Sequence, residues 1–285
     1  MKKTLTITLL TALAILLIPS DLFGQAQIYT RKEKLKDLTA KTVKVVMTGN
    51  EVVDEALKQS VTTTWTLSPY EFCTNEEFQK LKSDNKFYFL LVVKGQQRKE
   101  SEPGIELLTM VKGGEGSDKS IEDMLEVVTF PFRAAVDPSG REFSYLPAFL
   151  TIMQEHAKGL TESEVKAYST LGANDTKKLR MKQIYFCEDD MAPEVSEKTL
   201  KSLDEDIFIE EDDEDVDDVF TDGKFNAVVS YVVAPSEPVN GSVCYKLLIG
   251  ADDHKLYWFK KHKISARQGA GFLESDLKAI KLLRK

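Results

Sequence analysis

The sequence predicts an α/β protein, a mixed-sheet α+β sandwich built from two related β-α-β-α-β-β-β-α halves in tandem. Three observations predict it. Apolar runs of strand length alternate with segments of helical periodicity. Consecutive hairpin strands follow in each half, so the sheets are mixed and not purely parallel. Finally, an offset of 138 residues lays Phe78–Phe87 over Val216–Phe225, with Asp84/Asp222, Lys86/Lys224 and Phe87/Phe225 identical. The same offset lays Val43–Met47 over Met181–Tyr185. Three identities alone are weak, but the repeated element order adds weight that a chance match lacks. Phe87 and Phe225 are then expected at equivalent strand entrances.

In chain order, Lys2 and Lys3 precede an uncharged stretch, Thr4–Ser20, with its densest apolar run at Leu13–Ile18. Pro19 follows, and small residues near Gly24 and Ala26 suit a peptidase, so residues 1–26 read as a cleavable secretory signal peptide. Residues 27–41 form a polar segment. The first α/β half is expected over 42–158, a linker over 159–178, and the second half over 179–285. Thr42–Met47 reads as a strand and Thr48-Gly49-Asn50 as a turn with Asn50 as N-cap. Val52, Val53, Ala56, Leu57, Ser60 and Val61 then give Glu51–Thr64 an apolar helical face. Tyr70–Cys73 is a short strand, and Thr74 with Glu77 forms a capping box before Phe78 and Leu81. Phe87–Val93 is apolar enough to be buried on both faces. Strands follow at Ile105–Val111 and Glu126–Phe132, and then a helix through Phe143, Leu146, Phe149, Leu150 and Met153, with Pro147 placed in its first turn.

The second half repeats this with a strand at Met181–Phe186, a helix at Glu194–Leu203 and a strand at Ile207–Ile209. A helix at Asp215–Phe220 and a strand at Phe225–Val233 come next. Hairpin strands at Val243–Ile249 and Lys255–Lys260 lead to a closing helix, Phe272–Leu283.

Composition bounds the function. Of 285 residues, 42% are hydrophobic and 29% charged, which excludes disordered and multi-span membrane chains. No segment after the leader has 18 consecutive apolar residues, so no transmembrane span is expected. The net charge of -8 argues against a nucleic-acid binder. That charge is local, however: Asp204–Asp218 holds 11 carboxylates in 15 residues, whereas Lys255–Lys285 carries nine Lys or Arg and two acids. The acidic run reads as a solvated loop entering a helix, or as a patch facing a basic partner. The C-terminal segment is basic with interleaved Tyr257, Trp258 and Phe259, and pairing with the acidic run is its simplest explanation.

Local chemistry is sparse. Asp213, Asp215 and Asp217 imitate the start of a calcium loop, but Asp218 stands where glycine is needed and Lys224 where glutamate is needed. They remain only weak metal candidates. The turn at Gly49 lacks both G-x-G-x-x-G and a P-loop lysine. His156, His254 and His262 form no metal-spaced cluster; His156 is read near a helix end, and the other two as exposed. Cys73, Cys187 and Cys244 read as small buried hydrophobes, with a Cys187–Cys244 bridge as the alternative. No cofactor and no catalytic residue is predicted.

The element order is similar to that of thioredoxin-like and anticodon-binding-like sandwiches, including small periplasmic modules of envelope complexes. The stretch from Thr48-Gly49-Asn50-Glu51 through Trp65 to Tyr70–Phe78 resembles a group of exported, signal-peptide-bearing Bacteroidota proteins without assigned activity. That resemblance covers about a quarter of the chain. It implies a periplasmic setting and brings no catalytic residues. The expectation is therefore a periplasmic or secreted binding or assembly module, taking an envelope protein or small ligand in a groove between the halves. An envelope-polymer hydrolase whose site is assembled without a local motif is the alternative.

Overall fold

The computed structural model describes residues 30–173 and 175–284. The expected signal peptide at 1–26 lies outside the described residues. After a short helix α1 (Arg31–Leu35), the first half runs β1 (Thr42–Val46), α2 (Glu51–Thr64), β2 (Tyr70–Cys73), α3 (Asn75–Leu81), β3 (Phe87–Gly95), β4 (Ile105–Lys112), β5 (Leu125–Ala134) and α4 (Glu142–Glu162). A one-turn helix, α5 (Glu164–Ala167), and a 3-10 turn at Thr176–Met181 lead to the second half. There follow β6 (Gln183–Cys187), α6 (Glu197–Leu200), β7 (Ile207–Glu210), α7 (Asp213–Thr221), β8 (Ala227–Val233), β9 (Val243–Gly250), β10 (Leu256–Lys263) and α8 (Glu274–Leu283).

Each half forms one five-stranded sheet, with orders β2-β1-β3-β4-β5 and β7-β6-β8-β9-β10. In both, the first strand lies between two parallel neighbours, and the last two strands are antiparallel. The predicted class and the repeated half are therefore present, with related strand orders as well as related element orders. The offset of 138 residues that takes Asn75 to Asp213 also takes Gly95 to Val233 and both ends of β4 onto those of β9.

At the first strand the offset differs. Val43 pairs with Tyr70 and Tyr88 as Ile184 pairs with Ile207 and Val228, so β1 matches β6 three residues later than expected. Met181 lies in the 3-10 turn, 66% exposed. The two phenylalanines do flank the same strand, but unequally. Phe87 opens β3, whereas Phe225 is 85% exposed because Asn226 turns the chain with φ 59° before β8 begins.

Local rules account for most boundaries. The Asn50 side chain accepts from the backbone N–H groups of Val52 and Val53, and Thr74 and Glu77 close their capping box. Gly49 takes φ +84°, the left-handed conformation that a side chain resists. Three expectations fail. Val52 is 64% exposed, so the α2 face is carried by Val53, Leu57, Ser60 and Val61. Pro147 lies in the second turn of α4, where its ring removes a backbone donor from the helix ladder. The helix expected at Glu194–Leu203 is a single turn capped by Ser196.

Crossovers stepping to opposite sides of the first strand must use opposite sheet faces. Accordingly, α2 packs with α4 on one face of the first sheet, through Val53, Leu57 and Val61 against Val43, Val45 and Leu90. α3 covers the other face with Phe78 over Val46, Phe89 and Leu91. In the second sheet α6 and α8 share one face, and α7 takes the other. The halves stack head to tail: the α2/α4 face of the first packs against the α7 face of the second. One apolar core, containing Phe130, Phe149, Phe220 and Tyr231, crosses between them.

Candidate functional site

Two places concentrate polar chemistry. The first lies in the seam between the halves. Arg141, just before the first turn of α4, places its guanidinium on Asp217 of α7 with hydrogen bonds of 2.8 to 3.0 Å. The Tyr145 hydroxyl donates to the same carboxylate at 2.7 Å. Asp190, just after β6, lies 3.9 Å from the guanidinium and accepts a hydrogen bond from Ser230 on β8. The Ser230 oxygen in turn accepts from the backbone of Cys187 at 3.1 Å. Aromatic rings close the cluster, with Arg141 5.8 Å from the ring centres of both Tyr145 and Tyr231.

Burial displaces these groups from their ordinary pKa values. Desolvation raises the Asp190 carboxyl, only partly countered by Arg141 and Ser230. Tyr145 and Tyr231 are pushed well up by the same loss of water. Arg141 would be lowered by burial, but its hydrogen bonds to Asp217 and the charge of Asp190 raise it. A carboxyl raised in this way is a signature of acid–base sites. Here, though, Ser230 has no exposed surface and Tyr145 and Tyr231 have 4% at most. The cluster joins one half to the other, through Arg141 of the first on Asp217 and Asp190 of the second.

The second place is an open surface on the first half. At the carboxyl ends of β1 to β3, where such sheets usually place ligands, a cleft of about 440 Å³ is lined by Thr48, Asn50, Asn75, Gln79 and Lys94 among others. Val92, Lys94 and Ile121 also line a neighbouring cleft of about 740 Å³ over the outer face of β3, β4 and β5. Its floor includes Val93, Leu107, Thr109 and Thr129, and the two threonine hydroxyls meet at 3.3 Å. Lys94 is exposed and makes no hydrogen bond or ion pair among the described residues. The loop amides below do not await an anion: Asp54 accepts from Thr48 N at 2.7 Å and Gly49 N at 3.0 Å. Arg133 in the wall is held by Glu106 and Glu142.

The corresponding face of the second sheet is covered. Tyr145 stacks on Phe220 with ring centres 4.1 Å apart, Phe149 meets Tyr231 edge-on, and Ile152 and His156 line one small cavity with Leu256 at the start of β10. The helix α4 thus packs against the face of the second sheet whose equivalent in the first sheet carries the open cleft. The groove expected between the halves is largely occupied by this packing. A cleft of about 210 Å³ remains there, between Pro103-Gly104 and Pro235-Ser236.

The remaining candidates disperse. Asp213, Asp215 and Asp217 lie on the helix α7 and not on a loop. Asp213 and Asp217 face Arg141, while the exposed Asp215 is on the other side. No group of three metal-ligating side chains occurs among the described residues. The acidic and basic segments do pair at one end, through Asp204 with Lys281 and Arg284, and Asp206 with Arg284. All three cysteines are buried and free. Cys187 joins the central core, whereas Cys244 shares the row of Lys246 and Leu248 on the other face of the sheet, so they cannot bridge. Burial pushes the Cys244 thiol up to about 11 and raises the other two. The histidines are half-buried, with pKa values lowered chiefly by desolvation. His254 stacks on Phe220 and His262 bonds Gly269 O, which corrects the exposed reading.

Arg141, Asp190, Ser230 and Lys94 were not singled out by any motif. Only the triplet Glu188-Asp189-Asp190 after a strand hinted at a charge that needs a partner. No helix of the described residues is long and apolar enough to cross a membrane. Comparison with protein-family models, curated proteins and solved structures gives no match.

Proposed function

We propose that this chain is an exported, periplasmic or secreted, binding or assembly module without catalytic activity of its own. Its docking surface is the outer face of the first sheet. One observation carries this reading: sheets of the same topology expose that face in one half and bury it under a long helix in the other. A sheet face with Leu107 and Val93 half-exposed and a cleft of about 740 Å³ is a surface built to be covered. The signal-peptide layout of residues 1–26 supports export. The raised carboxyl of Asp190 supports the non-catalytic reading, because it is 7% exposed in the seam beside the fully buried Ser230.

Site-specific photocrosslinking in producing cells tests it. A crosslinker at Thr129 is expected to give one discrete adduct, and one at Ser275 on the exposed side of α8 none. Hydrolysis of purified envelope polymer by the exported chain, with no adduct at Thr129, overturns the proposal.

A further inference from the structure

We infer that the outer face of the first sheet receives an amphipathic helix of a partner protein, lying as α4 lies on the second sheet. This deepens the proposed function and rests on it. The shape argument is internal to the molecule. The second half shows what its scaffold accepts on this face: a helix whose residues at 0, 4, 7 and 11 spacing, Tyr145, Phe149, Ile152 and His156, run along it. These four fall on one helix side. The open face keeps the apolar floor but carries Thr109 and Thr129 where the covered face has Leu247 and Phe259. That mixture stays soluble when bare and suits reversible docking.

Charge gives the partner helix a direction. The start of α4 lies over the carboxyl ends of β6 and β8, beside Asp190 and Asp217, and its later turns reach the start of β10. On the open face the first position offers Gln79 and the unpaired Lys94, and the second offers the exposed Glu122 and Glu126. A helix running in the same sense would carry an acidic residue in its first turn, facing Lys94, and a basic one in its last turn, facing the glutamates. The helix dipole favours the same arrangement.

A second copy of this chain does not offer such a helix. The stacking order would present α8, whose exposed side is Ser275, Lys278 and Leu282, with no aromatic stripe.

The test uses the full exported chain and a stapled 20-residue helix bearing Tyr, Phe, Ile and Leu at the 0, 4, 7 and 11 spacing. One version has Glu in the first turn and Lys in the last; the other has them exchanged. Fluorescence anisotropy is expected to show tighter binding of the first, by about threefold to fivefold for two exposed charge contacts. Lys94→Glu is expected to reduce or invert that preference, and Thr129→Arg to abolish binding of both helices. Binding indifferent to Thr129→Arg, or no binding, overturns the inference. A dimer in light scattering that Thr129→Arg dissociates also overturns it, in favour of a second copy. If the helices fail but Thr129 still gives its photoadduct in cells, only the helical occupant is wrong. If both fail, the docking face is wrong as well.

Discussion

Two faces of one scaffold have opposite fates here. On the second sheet, Tyr231, Leu247, Ile249 and Leu256 lie in the core shared with α4 and are at most 6% exposed. On the first sheet, the same strands and the same order present the partly exposed Val93, Leu107 and Thr129 to an open cleft, with Thr109 and Val111 deeper in its floor at 6% and 1% exposed. Topology alone does not decide whether a sheet face is core or surface. The side chains on one row of each strand do, together with whatever covers them. The connection between β4 and β5 sharpens the point: it lowers Ile121 and Met124 onto the α3 side of the first sheet, which only partly replaces a covering helix. The β9–β10 connection, Ala251–Lys255, is too short to do the same.

The largest expected effect breaks the covered face. Arg141→Ala leaves the carboxylates of Asp190 and Asp217 without their cation, 7% and 19% exposed. Removing one partner of a buried charge cluster costs about 3–5 kcal/mol. For a domain of this size that lowers Tm by roughly 2–4 °C per kcal/mol. Calorimetry is expected to show the full loss for Arg141→Ala and a change within about 0.5 kcal/mol for Lys94→Ala on the open face.

Acid separates the two regions next. Burial works to raise the carboxyl of Asp37, which the N-terminal segment places against the first sheet, but hydrogen bonds from Lys41, Tyr88 and Lys112 prevail and hold it at about 2. Its contribution is complete above its unfolded value near 3.9 and is lost as pH falls toward 2. Asp190 behaves oppositely. Desolvation raises it, so the folded state binds its proton more tightly, and its contribution grows as pH falls toward 3.9. Urea titrations between pH 3 and 7 are expected to show Asp37→Asn losing up to about 2 kcal/mol at pH 7, the carboxylate being 31% exposed, with the deficit shrinking in acid. Relative to wild type, Asp190→Asn is expected to change with pH in the opposite sense. Parallel curves for the two variants would show that the seam carboxyl is not raised.

Much of the fold was legible because its signals are local. The turn at Gly49, the caps at Asn50 and Thr74, and the apolar run at 87–93 each follow from residues within one element. The element order of the second half was readable too, although its first helix shrank to one turn. Pro193 opens that segment, and Leu200 and Leu203 supply too little apolar surface for a longer one. The sites were not legible, because they join distant residues. Arg141 meets Asp217 across 76 positions of chain, and Arg141 belongs to no motif. Asp213 and Asp217 looked like half of a metal loop because spacing alone cannot say that a cation on another element already occupies them. The open face is harder still. Its identity comes from what packs over each sheet, a property of the folded chain and not of sequence.

The smallest effect tests whether the outer face stands on local chemistry alone. Thr74 and Asp212 occupy matching positions, each the N-cap of the helix that crosses to the third strand of its half. Thr74 accepts from Glu77 N at 3.2 Å while Glu77 accepts from Thr74 N at 2.8 Å. Asp212 makes no side-chain cap, and α7 is held instead by Tyr145 on Phe220 and by Arg141 on Asp217. Helix α3 has no such cover, so its first turn depends on the capping box. Thr74→Ala is expected to cost about 1 kcal/mol and Asp212→Ala only a few tenths. Amide exchange at the start of α3 is expected to accelerate in Thr74→Ala, with α7 unchanged in Asp212→Ala. Equal losses at the two caps would mean that packing against the first half does not hold α7, and the contrast between the covered and the open face would lose its energetic basis.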